Sequence, residues 1–255
     1  TPPTPTPVAE TRPKYGGVLT TMQARIPVDW DFMKVPSGGA TFNRADLAFQ
    51  ALFNSPNTPQ TGCTGELEPV LAESYRWLND LTLEIKVRPG VKFHDKPLVN
   101  GRPLTAEDVA YSIDRLRQLQ ARVSGAAMYV AEVRAKDAGT VVISLKEPYG
   151  DVTGSSFLGA SIYGSFVLAR EAGGPRESWA DPAKAYIATG PFMFKEYVDG
   201  VSFTYSRNPS YWKAGLPYVD AVKYLIVPEP ATEEALLRAG KADLWNMEPT
   251  FRIVE

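Results

Sequence analysis

One cysteine and one histidine among 255 residues leave little material for nucleophilic or metal chemistry. Cys63 has no second cysteine to pair with, which excludes an internal disulfide and a cysteine-rich metal site. Between Gly62 and Gly65, with no nucleophile motif around it, it reads as a loop thiol. His94 is alone too, so Ser-His-Asp, Cys-His and multi-histidine schemes all lack partners. The sequence thus offers no catalytic residues and no metal ligands, and no cofactor is expected. A formal net charge of −2 gives no reason to expect nucleic acid. No polybasic run marks a membrane surface. No stretch reaches the roughly 18 uninterrupted apolar residues of a spanning helix.

Proline, by contrast, is plentiful, and it is concentrated at the amino terminus. Residues 1–14 form a Thr/Pro tract with no apolar face, predicted to be an extended spacer. The most patterned stretch is 67–112. Leu81, Leu83, Ile85 and Val87 alternate there with Thr82, Glu84, Lys86 and Arg88, which predicts a half-buried strand. Asn79-Asp80 supplies a turn before it and Pro89-Gly90 ends it. Thr105 is placed to cap a following helix, with Asp108 as its reciprocal partner. Val109, Ile113, Leu116 and Leu119 form the apolar face of that helix, while Asp114, Arg115 and Arg117 are expected to stay wet.

Elsewhere, Arg44–Phe53 carries Leu47, Ala48, Ala51 and Leu52 at helical spacing, with Asn43 as a plausible cap. Val133–Leu145 reads as a hairpin about Asp137-Ala138-Gly139. From there to about Phe166 the chain is a Gly/Ser-rich loop, and Trp179-Ala180-Asp181-Pro182 marks a helix boundary. Phe192, Phe194, Val201, Phe203 and Tyr205 alternate around Asp199-Gly200 as an aromatic-rich hairpin. Val222, Tyr224 and Ile226 predict another strand, broken by Pro228-Glu229-Pro230. Thr232 is the expected cap of the next helix, with Glu233 and Glu234 set for its dipole and Gly240 closing it.

The wording of several segments adds to their periodicity. Leu67–Pro69, Leu71-Ala72-Glu73-Ser74, Val87-Arg88-Pro89-Gly90-Val91-Lys92-Phe93-His94 and Pro103-Leu104-Thr105-Ala106-Glu107-Asp108-Val109 form one block. Ala188-Thr189-Gly190-Pro191-Phe192 and Arg207-Asn208-Pro209-Ser210-Tyr211-Trp212 form a second. Gly16-Gly17-Val18-Leu19 precedes them and Gly240-Lys241-Ala242-Asp243-Leu244 follows. Together these resemble the family 5 extracytoplasmic solute-binding proteins, the dipeptide-, oligopeptide- and nickel-binding receptors of ABC importers. Three departures are visible: Lys96 stands where the family has a glycine, extra residues through Asn100-Gly101-Arg102 lengthen the next loop, and Ala188 replaces a glycine.

The resemblance implies an α/β fold of mixed sheets with flanking helices. It would be the first lobe of a two-lobe periplasmic-binding-protein-like fold (type II, cluster C), with the second lobe absent from the chain. Residues 15–43 and 169–255 would form the lobe's core subdomain and 44–168 an inserted one. Met22, Gln23 and Ala24 would line the ligand cleft, with Trp245, Asn246 and Met247 beside the ligand near the hinge. Tyr211 and Trp212 would be packing aromatics.

The implied function is capture of an extracytoplasmic solute, a peptide by family frequency, through closure of two lobes. The loaded receptor, monomeric and free or lipid-anchored outside the cytoplasmic membrane, would meet a membrane permease. Nickel or an oligosaccharide is the alternative ligand, and a sensory or structural surface module the alternative role. A hydrolase with paired carboxylates fits less well, since Glu107 and Asp108 are explained by helix capping.

Overall fold

The computed structural model describes residues 13–24, 30–33, 42–54, 57–58, 62–63, 67–118, 125–149, 166–172 and 181–245. In chain order the elements are β1 (Val18–Gln23), α1 (Phe42–Ala48), β2 (Phe53–Asn54), β3 (Asn57–Thr58), β4 (Gly62–Cys63), β5 (Glu68–Pro69), β6 (Ala72–Asn79) and β7 (Thr82–Val87). Then come α2 (Ala106–Gln118), a 3-10 turn (Gly125–Tyr129), β8 (Val130–Asp137) and β9 (Thr140–Leu145). The last are α3 (Pro182–Ala185), β10 (Phe192–Val198), β11 (Ser202–Arg207), β12 (Ala221–Ile226) and α4 (Pro230–Arg238).

Two four-stranded sheets carry the fold. The first runs β1-β12-β11-β10, with β1 parallel to β12 and the rest antiparallel. The second, β6-β7-β9-β8, is antiparallel throughout. Two short ladders, β2-β5 and β3-β4, lie outside them. Mixed sheets with flanking helices are the expected class.

Alternation explains both cores. In β10 and β11, Phe192, Phe194, Phe203 and Tyr205 turn to one face and meet Trp30, Phe32, Phe49 and Tyr186. The Trp30 ring stands edge-on to Phe194 and Tyr197 at 5.2 and 5.1 Å, an arrangement that aligns ring edges with ring faces. In the second sheet, Leu83, Ile85, Val141 and Ile143 face Val109, Ile113 and Leu116 of α2. Thr105 flanks the start of α2 as expected. Its amide and hydroxyl both donate to Asp108 Oδ2, at 3.0 and 2.9 Å.

Several expectations are corrected. Arg115 is not wet: its guanidinium donates to both carboxylate oxygens of Asp31, which is fully buried. Glu84, on the polar side of β7, is only 2% exposed because Arg76 and Lys136 close over it. Leu81 lies before the strand and is exposed. The first helix starts at Phe42, which puts Asn43 inside it rather than before it, and it stops at Ala48. Beyond that point tertiary hydrogen bonds take the chain. Gly190 N donates to Ala48 O, Ala51 bridges Phe166, and Leu52 O accepts from Val70 and Ala72. In α4 the residue at the N-cap is Glu229, followed by Pro230, whose fixed φ and missing N–H suit a first helical position. Thr232 is therefore within the helix and is not its cap. Leu119 and the loop between 150 and 165 lie outside the described residues, as do Trp179 and Ala180. Asp181 does cap α3, accepting from Ala183 N at 3.0 Å.

Between the two cores runs a polar seam. The loop after β7 brings His94 against the segment preceding β10. His94 Nδ1 accepts from Ala188 N at 3.3 Å and Nε2 lies 3.1 Å from Gly190 O, so the neutral Nε2–H tautomer satisfies both. Gly190 O also accepts from Asn208 Nδ2 at 3.0 Å. Gln50 Oε1 accepts from Thr189 Oγ1 and from Trp212 Nε1, while its Nε2 donates to the Tyr211 hydroxyl, Oη. Trp212 is partly buried against the core of the second sheet, with the Arg88 and Lys213 cations 5.0 and 5.1 Å from the indole centre. Lys96 Nζ donates to Ala183 O and Phe194 O, both at 2.8 Å, and burial pushes its ammonium down to about 8.

Gly190 is the tightest point. A Cβ there would stand 2.4 Å from Ala48 O and 2.7 Å from its carbonyl carbon. Gly190→Ala should therefore destabilise by about 1–3 kcal/mol or more in urea denaturation, because backbone and not a flexible side chain must yield. A loss under about 0.5 kcal/mol would show that the contact is relieved cheaply. Burial pushes the His94 imidazole down to about 4, helped by the nearby Lys96 charge. Between its ordinary value of 6.5 and about 4, the unfolded chain then binds the proton and the folded one does not. Stability should fall by about 3 kcal/mol as pH is lowered across that window. Midpoints measured at several pH values in His94→Gln should show a flatter slope over the same range.

Candidate ligand-binding site

The first sheet is parallel only where β1 meets β12, and there the candidate residues of the sequence analysis come together. The register runs from Val18↔Ala221 to Gln23↔Ile226, so both strands end at the same rim. A third parallel segment joins on the other side of β1. Thr21 bridges Leu244, and Asp243 N donates to Thr20 O at 2.7 Å. The Asp243 carboxylate accepts from Thr20 N at 2.7 Å, which fixes this addition to β1 at its first residue. Three carboxyl ends thus converge at Gln23, Val227 and Trp245. In open α/β sheets ligands bind in the crevice beyond such ends.

Helix α4 connects β12 to the third segment and covers one face of the rim. Gly240 at φ 64° ends it, Gly240 N bonding Leu237 O and Lys241 N bonding Leu236 O. That pair of bonds is a Schellman motif, and it turns the chain back towards β1. Met22, Val227 and Ala242 are buried beneath the helix, with Leu225, Leu236, Leu237 and Trp245 packed on them.

Of the residues expected at the cleft, Met22 and Trp245 share this apolar cluster, Met22 being only 3% exposed. Gln23, the last residue of β1, is half-buried; by alternation it shares the opposite face with Leu19, which packs on the aromatic core. Ala24 follows it and is exposed. Asn246 and Met247 lie outside the described residues. The sequence reading missed Glu233. It assigned this residue to the helix dipole, whereas its Oε2 accepts the Trp245 indole N–H at 2.8 Å and the residue is only 8% exposed. The available signal was its place in the first turn of the helix that follows β12.

Among the described residues no group of three His, Cys, Asp or Glu side chains could hold a metal ion. No helix among them is long and apolar enough to cross a membrane.

The model of the bacterial extracellular solute-binding proteins, family 5 Middle, matches residues 66–253. The chain belongs to this family. It is a family of solute-binding proteins rather than of enzymes. The oligopeptide-binding protein AppA of Bacillus subtilis is 30% identical over 183 residues, 71% of this chain and 33% of AppA. The glutathione-binding protein GsiB of Pectobacterium atrosepticum is 31% identical over 176 residues, 68% of this chain and 32% of GsiB. In solved structures, AppA from Bacillus subtilis in complex with a nonapeptide superposes with a TM-score of 0.72 at 25% identity. That match covers 92% of this chain and 45% of the AppA chain. The chain thus spans about a third of the length of the curated family members it matches.

Burial of Met22 makes the rim testable as a packed unit. Met22→Ala should destabilise by about 2 kcal/mol or more, the cost of lost apolar contact plus a cavity under α4. Met22→Leu, which conserves volume, should cost less than about 1.5 kcal/mol. Equal losses in the two variants, read from denaturant midpoints, would show that side-chain volume is not what Met22 contributes.

Proposed function

We infer that this chain forms one wall of the solute site in an extracytoplasmic receptor of an ABC importer, and that the solute is a peptide. The observation that carries the reading is the family match over residues 66–253, which includes the helix and third parallel segment at the rim. The oligopeptide and glutathione named for the two curated relatives are both peptidic, and this favours a peptide over nickel or an oligosaccharide.

The rim suits such a ligand. Trp245 offers an apolar wall, and strand ends offer backbone groups with which an extended peptide can pair. Binding of this kind takes hinge closure and complementary polar groups, with no nucleophile or general base. The receptor's partner is then a membrane permease, met outside the cytoplasmic membrane. Titration calorimetry of the full-length protein with a dipeptide, glutathione and a nonapeptide tests the reading. Micromolar or tighter binding of at least one, with the peptide recovered intact, is the expected result. Binding of nickel or an oligosaccharide alone would overturn the ligand class, and cleavage of the peptide would overturn the role.

A further inference from the structure

The edge of the second sheet leaves a tryptophan outside the core it is placed to join. β6 pairs with β7 on one side only, and in that register Trp77 lies opposite Leu83. Directly opposed residues share a face, so Trp77 stands on the side that packs against α2. Leu83 is fully buried there, whereas Trp77 is 39% exposed. The Trp212 and Trp245 indoles donate to Gln50 and Glu233. Among the described residues the Trp77 indole N–H has no such acceptor. Leu78 and Leu81, on either side of the turn that follows, are exposed as well. Apolar surface gathered in this way, rather than scattered singly, marks a contact site.

The surface is concave. Trp77, Asn79, Asp80, Pro148 and Tyr149 line a cavity of about 310 Å³, and small-molecule sites begin at roughly 300 Å³. Bonds already on the page hold its walls. Asn79 Oδ1 accepts from Leu81 N at 2.9 Å, and Leu145 N donates to Leu81 O at 2.8 Å, which ties the turn to the end of β9. The Tyr149 ring stacks on Tyr129 with centroids 3.9 Å apart and planes 7° from parallel.

The lining also narrows the ligand. Two aromatic rings and a proline ring supply flat apolar surface. The bond from Leu81 takes up the Asn79 oxygen and leaves the amide N–H groups as donors. Asp80 has no ion pair among the described residues, so both its oxygens are acceptors for a ligand. None of the five lining residues is cationic, and a phosphate or carboxylate ligand would meet only the Asp80 charge. A sugar ring fits this set. It has a face of C–H bonds to lie on an aromatic ring, and an edge of hydroxyls that donate and accept.

We propose that Trp77, Asn79, Asp80 and Tyr149 form a binding site for a neutral saccharide at the end of the second sheet. The site is separate from the strand-end rim of the first sheet, and it stands independently of the peptide reading above. Trp77 supplies the stacking face, and Asp80 and Asn79 take the hydroxyls.

The test is calorimetric titration of the full-length protein with cellobiose, maltose, chitobiose and digalacturonic acid, repeated on Trp77→Ala, Trp77→Phe and Asp80→Asn. Saturable binding of at least one neutral probe is the expected result. Trp77→Ala should weaken it about 10-fold or more, because the stacking face is lost. Trp77→Phe, which keeps a ring, should recover part of that loss. Asp80→Asn should weaken it roughly 10-fold through the lost charge-assisted bonds. Thermal melting unchanged from wild type would confirm that each variant keeps its fold. Digalacturonate should bind more weakly than the neutral probe, since its carboxylates meet Asp80. No saturable binding of any probe by the wild-type protein overturns the inference. Equal affinity of wild type and Trp77→Ala places the saccharide elsewhere on the molecule and overturns it too. A preference for digalacturonate overturns the role of Asp80 and the neutral class.

Discussion

The approach of Gly190 to Ala48 sets the distance between everything else. At this point two backbones touch with no side chain between them, and the Gly190 amide bonds the last carbonyl of α1. Backbone contact this close removes the freedom to slide, so the polar groups around it must meet their partners in one arrangement. His94, Asn208, Thr189 and Gln50 do so, each bonded to another member of the same seam. A polar network that is fully partnered rigidifies and specifies a structure, whereas a partly partnered one destabilises it. The seam therefore does for the two cores what neither sheet can do alone: it fixes their mutual position through directional bonds, not through apolar area.

The periodic elements were legible in the sequence because their causes are local. Alternation in β7, β9, β10, β11 and β12 depends on which side chains face a core, and the sequence displays that directly. What was not legible depends on groups distant in sequence. Nothing near Arg115 announces that Asp31, 84 residues away, will bury it. Helical spacing through Leu52 is real, but Ala48 O is captured by Gly190 and Leu52 O by Val70, so tertiary bonds end the helix four residues early. Thr232 has the chemistry of a cap, yet Pro230 had already begun the helix. Of the rim, Met22 and Trp245 were named together by resemblance, and they share one apolar cluster. The burial of Glu233 was not legible, because it depends on an indole that comes 12 residues later and reaches it only after the chain has reversed.

The departures from the family wording also have physical roles. Lys96 replaces a glycine and reaches across the seam to two carbonyls, Ala183 O and Phe194 O. A glycine in that place would have no side chain to make these two bonds. The lengthened loop carries Leu98 and Asn100 at positive φ, followed by Gly101, and this contorted path delivers Arg102 to Asp108. Asp108 is fully buried, and Arg102 meets both its oxygens while also binding Glu171 and lying over the Phe93 ring. The guanidinium in turn holds the Glu171 carboxyl below its ordinary value. The extra residues thus bring the cation that a buried helix-capping acid requires.

Set beside this, the rim of the first sheet differs in one respect. In the seam and in the Arg102 cluster, buried polar groups find partners of matching kind, charge with charge and neutral with neutral. At the rim the covered Glu233 carboxylate accepts from the Trp245 indole, a neutral donor, and among the described residues it has no ion pair. On the proposed reading of the rim as one wall of a solute site, a wall already held by β1, β12 and α4 need not be ordered by a ligand, and less of the interaction energy is lost on association.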